Sequence, residues 1–292
     1  MTAEVARQPY RIDVQPLTGA VGCEIHGIDV ANISDDDFDQ VYQAFLDYCV
    51  VVLRDQNVTK EQFAEFGKRL GKLEDEPFLP SKTEVPGVYY FKGAPKDAKT
   101  LSAQKLGWHM DHSYLQNPTK AAMLYAVDVP AAGGDTLFSN SYLAYEELSS
   151  AMKDFIEDKI AVHDVLWYGL KSGLNSIDTP EDIEKLLAVR KQRPPVEHPL
   201  VCRHPETGRK MLYLNQAWTT RINGLDPDES DAILNVLKRH SLKDIFRCRV
   251  NYSNGTLIFW DNRALQHSPN SDYTGSRMMW RLAIHSDWIP GT

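Results

Sequence analysis

The chain has 292 residues, of which 42% are hydrophobic and 25% are charged, a composition typical of a globular protein. Its net charge of −8 argues against a nucleic-acid partner, because proteins that bind DNA or RNA need a basic face to replace phosphate counterions. The four cysteines form no Cys-x-x-Cys pair, which argues against a disulfide framework or a zinc knuckle. The N-terminus lacks the apolar core of a signal peptide, and no apolar run reaches the roughly 18 residues of a membrane span. We therefore expect a cytoplasmic protein with no membrane partner.

The N-terminal third predicts helices and one short strand. Ser34 and the three aspartates after it form an N-cap signal, and apolar residues then recur at helical spacing up to Phe45. The run CVVVL at 49–53 predicts a buried strand. Thr59 and Gln62 fit a capping box that opens the next helix. We predict further helices near residues 148–160, 180–192 and 226–240, the second of which begins at Pro180, where proline is tolerated.

The C-terminal third is rich in strand signals. Asn254-Gly255, between two β-rich runs in CRVNYSNGTLIFWDN, predicts a hairpin, and RMMWRLAIHSDW predicts another strand. Strand-like runs within 105–137 and 200–288, with helices before and between them, predict a mainly β core wrapped by helices. A closed jelly-roll is one all-β arrangement of this kind. Because no linker or repeat interrupts the chain, we predict a single domain over residues 1–292.

One polar stretch, GWHMDHSYLQNP at 107–118, suggests a metal site. If it is a strand, His109 and Asp111 point to one side, while Met110 and His112 point to the other. An imidazole and a carboxylate inside a β barrel need a partner, and a divalent metal would supply one. The best candidate for a third ligand is His267, after the second strand of the predicted hairpin. Two histidines and one carboxylate opposite open positions are typical of non-haem Fe(II) oxygenases, whereas structural zinc has four ligands.

Two arginines on the last predicted strand indicate anion binding. Arg277, Met279 and Arg281 share one face by period two. A guanidinium that projects into a barrel needs an anionic partner, and its planar fork suits a carboxylate. The stretch Gly133-Gly134-Asp135-Thr136 adds a flexible turn and, in Thr136, a hydroxyl donor that could share such a carboxylate.

Four blocks together resemble the taurine dioxygenase / dichlorophenoxyacetate dioxygenase (TauD/TfdA) family of Fe(II)- and 2-oxoglutarate-dependent oxygenases. They are Trp108-His109-x-Asp111, Gly133-Gly134-Asp135-Thr136, Trp260-Asp261-Asn262-Arg263 followed by His267, and Arg277-x-x-x-Arg281. The similarity runs in order from about Val14 to Trp288. It implies a double-stranded β-helix core, a jelly-roll of cupin-like type with flanking helices. It also implies that His109, Asp111 and His267 bind Fe(II), and that Thr136 and Arg277 hold the distal carboxylate of 2-oxoglutarate.

The resemblance implies a reaction as well. With 2-oxoglutarate and O₂ as co-substrates, the enzyme would oxidise, most simply hydroxylate, an aliphatic C–H bond of a small organic acid, with succinate and CO₂ as co-products. Cleavage of a C–S or C–O bond, desaturation and ring formation begin with the same hydrogen abstraction and stay open. Asp111 argues against halogenation, because the related halogenases replace this ligand with a small residue.

Two alternatives belong to other classes of protein. A non-catalytic metal-binding or ligand-sensing β-barrel protein is one, but the three ligand residues and Arg277 are all retained. A metal-dependent hydrolase is the other, and it leaves the two arginines and the Gly-Gly-Asp-Thr turn unexplained. We therefore predict an enzyme, a 2-oxoglutarate-dependent oxygenase.

The substrate is less well determined by the sequence. Arg281 matches the family's arginine that binds a substrate sulfonate or carboxylate, so we expect an anionic or zwitterionic small molecule. Positions that contact taurine in the family hold Glu76 and Lys105 here, which argues against taurine itself. These two charges would suit an amino-acid derivative, although solvated loop charges are the alternative. Trp218 and Tyr168 would supply aromatic walls. Related enzymes are often dimers or tetramers, so we expect a homo-oligomer.

The remaining candidate residues have plainer interpretations. Trp108, Trp260 and Asn262 are predicted to support the ligands rather than to act in catalysis. His285 lies on the same predicted strand face as Arg281 and could approach the pocket. Four other histidines show no ligand spacing and are expected to be surface groups or satisfied interior groups: His26, His163, His204 and His240.

Overall fold

The computed structural model describes residues 10–75, 82–93, 107–171, 175 and 177–291 of the chain. Its strands are β1 (Asp13–Pro16), β2 (Cys23–His26), β3 (Val50–Leu53), β4 (Tyr89–Gly93), β5 (Ala121–Asp128), β6 (Thr136–Asn140), β7 (Ile160–His163), β8 (Val196–Pro199), β9 (Val201–Arg203), β10 (Lys210–Leu212), β11 (Thr219–Ile222), β12 (Arg247–Val250), β13 (Leu257–Asp261), β14 (Leu265–Pro269) and β15 (Arg277–Ile284). Its helices are α1 (Asp35–Tyr48), α2 (Lys60–Leu70), α3 (Ser141–Glu146), α4 (Ser150–Ile156), α5 (Val165–Lys171), α6 (Pro180–Gln192) and α7 (Pro227–Ser241). Within these ranges no helix is long and apolar enough to cross a membrane.

Two sheets form the centre of the fold. The larger has seven strands in the order β1-β2-β3-β13-β5-β15-β4, and its neighbours are antiparallel except for the parallel pair of β2 and β3. The smaller has the order β12-β6-β14. Strands β11, β7 and β8 form a third sheet, and β9 pairs with β10.

The larger sheet buries both faces, because its central strands are apolar at consecutive positions. In β3, Val51 and Leu53 belong to the core that the sheet forms with α1 and α2. Val50 and Val52 belong instead to the core between the two sheets, together with Phe138 of the smaller sheet. Strands β5 and β13 alternate in the same way. Much of the space between the sheets is therefore apolar, and a polar side chain that points into it needs a partner.

The predicted helix starts are confirmed. Ser34 caps α1 by accepting a hydrogen bond from a backbone amide of the first turn. Thr59 and Gln62 make both hydrogen bonds of the capping box of α2. Pro180 begins α6, and α7 covers the third predicted helix to within one residue at each end. The predicted helix at 148–160 is shorter in the structure, because α4 ends before the chain enters β7.

The predicted hairpin at Asn254-Gly255 is wrong. Strand β12 pairs with β6, whereas β13 pairs with β3 and β5, so this turn carries the chain from the smaller sheet to the larger one. Gly255 has a φ of +83°, and a Cβ there would lie 2.8 Å from the carbonyl oxygen of Gln56. The dipeptide does make the local reversal, but the choice of partner strand depends on contacts remote in sequence.

Candidate active site

The candidate ligands meet where the loop after residue 107 crosses β14. The His109 amide donates to the His267 carbonyl oxygen at 3.0 Å, and the His267 amide donates to the His109 carbonyl oxygen at 2.8 Å. This isolated bridge replaces the strand expected at 107–118, because the chain turns immediately after Met110. The two imidazole rings lie side by side between the sheets, with centroids 4.1 Å apart.

Asp111 completes a group of three ligand-type side chains. One ligand atom from each of His109, Asp111 and His267 lies within 4.8 Å of the others. The Nε2 of His109 is 3.4 Å from Oδ1 of Asp111, and the Nε2 of His267 is 3.7 Å from Oδ2. Each histidine is only 5% exposed. The structure thus brings together the three residues that the sequence selected.

The protonation of these groups suits a cation between them. Nδ1 of His109 lies 2.8 Å from the Gly107 carbonyl oxygen, a pure acceptor, so Nδ1 carries the ring proton and Nε2 offers a lone pair. Burial, together with His109, lowers the pKa of His267 to about 3, which leaves its ring neutral. Burial would raise the pKa of Asp111, but Arg281 and the two histidines hold it well below its usual range. One carboxylate and two imidazoles match the donor set of a non-haem Fe(II) site.

The second nitrogen of His267 departs from the usual pattern. A ligating histidine usually donates its other N–H to an acceptor, which fixes the ring. No described residue accepts from Nδ1 of His267, although it is buried. Its ring is held instead between aromatic groups, since Trp260 lies 4.8 Å away and Phe138 lies 6.2 Å away, centroid to centroid.

Asn262 fixes the loop that carries Asp111. Its Oδ1 accepts from the Asp111 amide at 2.6 Å, and its Nδ2 donates to the carbonyl oxygens of Asp111 and Thr119 at 2.8 and 2.9 Å. The prediction of a supporting role for Asn262 is therefore confirmed. Trp108 also lies outside the cavity lining, beneath the guanidinium of Arg247 at 5.0 Å.

A network of paired charges stabilises the turn between β13 and β14. Asp261 accepts from Nε and NH2 of Arg263 at 2.9 and 2.8 Å, and its Oδ2 is 2.9 Å from Nε2 of His204. Arg263 also donates to Glu206 at 2.7 Å. Burial would raise the pKa of Asp261, but Arg263 and His204 lower it. His204 is thus a satisfied interior group, one of the two outcomes expected of it.

A candidate site for a carboxylate surrounds Arg277, which is 4% exposed. Its Nε donates to the Gly134 carbonyl oxygen at 3.2 Å, and its guanidinium lies over the Tyr252 ring at 5.4 Å. Gly134 has a φ of +73°, and a Cβ there would come within 3.2 Å of the Arg277 side chain. Thr136 Oγ1 lies 2.7 Å from the hydroxyl of Tyr252. The sequence selected Arg277 and Thr136 but missed Tyr252, because no motif or spacing in the sequence connects this tyrosine with either residue.

Arg281 is the second buried arginine of β15, 8% exposed. It donates from NH2 to Oδ2 of Asp111 at 3.1 Å, so it already pairs with the candidate metal ligand. Arg277, Met279 and Arg281 are all buried on the side of the sheet that faces β6 and β14, while Met278 and Trp280 are partly exposed. The predicted common face of the two arginines is confirmed.

These side chains line one cavity of about 230 Å³. Seven of its lining residues were selected from the sequence: His109, Asp111, Thr136, Trp218, His267, Arg277 and Arg281. Six were not predicted to bind metal, co-substrate or substrate: Phe91, His112, Tyr114, Leu124, Trp260 and Pro269. Glu76 and Lys105 lie outside the described residues, and so does the side chain of Tyr168 in α5. The cavity therefore combines the ligand group and both arginines with a largely aromatic and apolar remainder.

Two further histidines near the candidate site had been considered from the sequence. His112 was expected to face away from the interior, and this is wrong, since it lines the cavity. It has a φ of +55°, so the strand alternation that the expectation assumed ends before it. His285 could have approached the pocket, but β15 ends at Ile284 and His285 is exposed, with its Nε2 3.1 Å from Asp287. A positive φ in a loop leaves no periodic signal, so no sequence pattern would have found His112.

Comparison with known proteins gives an independent assignment. The profile of the "Taurine catabolism dioxygenase TauD, TfdA family" matches residues 13–283. The chain is 30% identical to an (S)-phenoxypropionate/alpha-ketoglutarate-dioxygenase from Sphingobium herbicidovorans, covering 94% of this chain and 95% of that protein. It is also 30% identical to an alkylsulfatase from Acinetobacter baylyi, covering 100% of this chain and 90% of the relative.

Solved structures agree with this assignment. A taurine dioxygenase from Burkholderia xenovorans superimposes with a TM-score of 0.79 at 31% identity, covering 97% of this chain and 91% of that one. AAD-2 in complex with Mn(II) and N-oxalylglycine superimposes with a TM-score of 0.80 at 25% identity, covering 96% and 99%. The predicted jelly-roll core with flanking helices is confirmed. The chain belongs to the TauD, TfdA family, and it is a 2-oxoglutarate-dependent dioxygenase.

Proposed function

We propose that this dioxygenase binds Fe(II) through His109, Asp111 and His267 and the distal carboxylate of 2-oxoglutarate through Thr136 and Arg277. The substrate is a small organic acid, oxidised at an aliphatic C–H bond that lies close to the metal. One observation carries the proposal: two buried arginines share a cavity with a buried group of two imidazoles and one carboxylate.

The ligand assignment is supported by charge and burial. The ionised carboxylate of Asp111, the neutral ring of His267 and the Nε2 lone pair of His109 converge in a buried cavity, and a divalent cation would provide all three with a partner. The group has three ligands, as in catalytic sites that keep positions open for small molecules. When bound, Fe(II), 2-oxoglutarate and O₂ supply the oxidising chemistry, with succinate and CO₂ as co-products.

The neighbours of the two arginines support the assignment of 2-oxoglutarate to one and the substrate anion to the other. Arg277 lies beside the Gly134 carbonyl and the Thr136–Tyr252 pair, which together form a polar recess for a carboxylate. Arg281 lies beside Asp111, so an anion bound there is held next to the metal. Each buried guanidinium gains a partner when both anions are present. The enzyme thereby holds the co-substrate at one point of the cavity and orients the substrate at another.

The substrate class follows from the rest of the cavity. Phe91, Tyr114, Leu124 and Trp218 provide an apolar wall that excludes water and suits a hydrocarbon or aryl group. Curated relatives are named for phenoxypropionate, sulfonates and sulfate esters, all of them anions with an apolar part. Hydroxylation is the simplest outcome. Hydroxylation next to an ester or ether oxygen would lead on to C–O cleavage, an outcome that the name of the alkylsulfatase relative favours. Desaturation is a further outcome of the same hydrogen abstraction.

Two expectations extend the proposal beyond the site. A homo-oligomer, dimer or tetramer, and a cytoplasmic location both stay predictions from the sequence. Equilibrium sedimentation of the purified protein tests the first directly, because a 33.1 kDa monomer and its dimer differ twofold in mass.

The proposal is tested by succinate formation. The protein is loaded with Fe(II) and 2-oxoglutarate without oxygen, then exposed to O₂ with aryloxy acids, alkyl sulfates, sulfonates and amino-acid derivatives in turn. At least one class should raise succinate above the substrate-free rate, and His109→Ala should abolish the rise. His285→Ala is the matched control, because this histidine is exposed outside the cavity. Fe(II)-independent succinate, or a rise that persists in His109→Ala, would overturn the assignment.

A further inference from the structure

His112 follows Asp111 directly and lines the same cavity. It is not among the residues proposed above to bind the metal or the co-substrate. Its backbone is left-handed, with a φ of +55°. Few non-glycine residues adopt this conformation, and outliers of this kind cluster at binding sites where the surrounding structure holds them. The turn directs the imidazole into the cavity rather than away from it, so the position calls for an explanation.

One edge of the ring is held from behind. Nδ1 of His112 is 2.8 Å from Thr119 Oγ1 and 3.2 Å from Oε2 of Glu74, and the Thr119 hydroxyl donates to the same Glu74 oxygen at 3.0 Å. The Thr119 hydroxyl donates its one proton to Glu74, so its oxygen accepts a hydrogen bond from His112. The carboxylate of Glu74 can likewise only accept. In a neutral ring this arrangement places the proton on Nδ1 and leaves a lone pair on Nε2.

The other edge of the ring is the one that reaches the cavity. His112 lines this cavity, whereas Glu74 and Thr119, which hold Nδ1, do not, so the part of the ring directed away from Nδ1 is the part that can meet a ligand. Among the described residues, no group hydrogen-bonds Nε2 of His112. The ring also packs against Tyr114, with centroids 5.7 Å apart, and Tyr114 packs against Trp218 at 5.0 Å. An oriented acceptor is thus set into a wall of aromatic groups.

We propose that His112 determines substrate specificity by accepting, at Nε2, a hydrogen bond from a hydroxyl or amine group of the substrate. The inference rests on the function proposed above and narrows its substrate class to small organic acids that also carry an O–H or N–H donor. Arg281 holds the acidic group and His112 receives the donor, both next to Asp111. Glu74 and Thr119 act as positioning residues that keep the acceptor pointing inward.

The physical basis is the free-energy cost of burying a polar atom that has no hydrogen-bond partner. A substrate that fills the cavity with a methyl group in place of the donor leaves Nε2 buried without a partner, and sites of this kind reject such analogues. The preference should be about tenfold or more for the donor-bearing compound. A ring that served only to pack against Tyr114 would show no such preference.

The test compares matched pairs of ligands. Para-hydroxyphenoxyacetate is compared with para-methylphenoxyacetate, hydroxypentyl sulfate with hexyl sulfate, and taurine with propanesulfonate. Binding is measured by calorimetry with Mn(II) and N-oxalylglycine in place of Fe(II) and 2-oxoglutarate, so that no turnover occurs. The ratio of the two dissociation constants within a pair is the readout, because a structural defect weakens both members alike.

Two variants give the decisive ratios. His112→Phe keeps the ring and removes both nitrogens, while His112→Asn tolerates the left-handed backbone and shortens the side chain. In the wild-type protein at least one pair should favour the donor-bearing member about tenfold or more, and both variants should bring that ratio near one. His285→Phe, outside the cavity, should keep the wild-type ratio.

The contrary outcomes are distinct from a failure of the proposed function. If no pair favours the donor-bearing member in the wild-type protein, or if the preference survives in His112→Phe, the role of His112 is wrong while the dioxygenase assignment stands. If no organic acid raises succinate formation and none binds in an Arg281-dependent manner, the proposed function itself fails. Thr119→Val adds a graded check, since loss of the anchor should reduce the preference without abolishing binding of the donor-free member.

Discussion

The two ends of the cavity are built from different kinds of chain. At the strand-built end, where the co-substrate is proposed to bind, Thr136 and Arg277 lie in the strands β6 and β15, beside His267 in β14. At the loop-built end, the other two proposed metal ligands, His109 and Asp111, lie in an irregular loop together with His112 and Tyr114, and Trp218 immediately precedes β11. Side-chain direction in a strand follows from period two, whereas in a loop it depends on individual backbone angles. We therefore expect the strand-built end to hold the two anions, while the loop-built end supplies two of the proposed metal ligands and, at His112, the selectivity of this chain.

The largest expected effect is at the strand-built end. His267→Ala removes one of the three proposed ligands, and we expect succinate formation to fall by about three orders of magnitude, since several kcal/mol of metal-dependent stabilisation would be lost. Titration with Mn(II) should show a matching loss of metal affinity, while the folded state persists in circular dichroism. An active His267→Ala variant would show that the metal lies elsewhere.

The loop-built end should lose stability in acid. His198 is buried with Nε2 3.0 and 3.1 Å from the carbonyl oxygens of Ser113 and Leu115, which lie in the loop beyond Asp111. Burial lowers the pKa of His198 to about 4, only partly offset by these carbonyls. Above the unfolded value of about 6.5 the ring is neutral in both states, but below it the unfolded chain binds a proton that the folded chain excludes. Stability is thus fully present above about pH 6.5 and is lost as the pH falls towards 4, by about 3 kcal/mol.

A variant isolates that contribution. His198→Asn is less stable at neutral pH, because the loop carbonyls lose a donor. Its deficit in unfolding free energy relative to the wild type should shrink by about 3 kcal/mol between pH 7 and pH 4, because asparagine does not titrate. His285→Asn serves as the exposed control and should run parallel to the wild type. A constant deficit for His198→Asn would contradict the buried neutral histidine.

The two arginines of β15 allow a direct comparison within one strand. Arg277→Lys and Arg281→Lys each keep a cation but lose the planar fork that matches a carboxylate. We expect Arg277→Lys to raise the KM for 2-oxoglutarate about tenfold and to leave the substrate KM unchanged. Arg281→Lys should do the reverse. Equal effects of either variant on both constants would mean that the arginines do not divide the two anions.

The smallest expected effect concerns Tyr252. Its hydroxyl lies 2.7 Å from Thr136 Oγ1, and a bond donated by Tyr252 leaves the Thr136 proton available to a carboxylate. Tyr252→Phe should weaken binding of N-oxalylglycine about fivefold, close to 1 kcal/mol, as measured by calorimetry. The binding of the organic acid should stay the same. An unchanged affinity for N-oxalylglycine would show that Thr136 is oriented without Tyr252.

The comparison also explains what the sequence could and could not predict. Arg277 and Arg281 were predicted to share a face because they are four residues apart, which is two side-chain periods of a strand. The structure buries both on one side. The triplet His109-Met110-Asp111 was selected by a strand argument that is wrong, since only His109 makes a bridge, yet the side chains converge because Asn262 holds the loop. The resemblance to the family carried that assignment further than the periodicity did.

The residues that the sequence did not place in the site have two physical explanations. Tyr252 was missed, and the Asn254-Gly255 turn that follows it predicts a reversal but not which strands pair on either side of it. His112 was misplaced because a left-handed residue breaks the alternation on which the prediction relied. Phe91 and Leu124 face the cavity from β4 and β5, and only the register with β15 brings them there. Non-local pairing and single backbone angles are the two properties that a pattern of residue types does not determine.

The central claim is that one strand supplies an arginine for each of two anions at one metal. A crystal structure of the protein with Mn(II), N-oxalylglycine and an organic acid tests it directly. We expect Mn(II) on His109, Asp111 and His267, the distal carboxylate of N-oxalylglycine on Arg277 and Thr136, and the acid group of the substrate on Arg281. Mn(II) bound elsewhere, or N-oxalylglycine with its distal carboxylate on Arg281, would contradict the account.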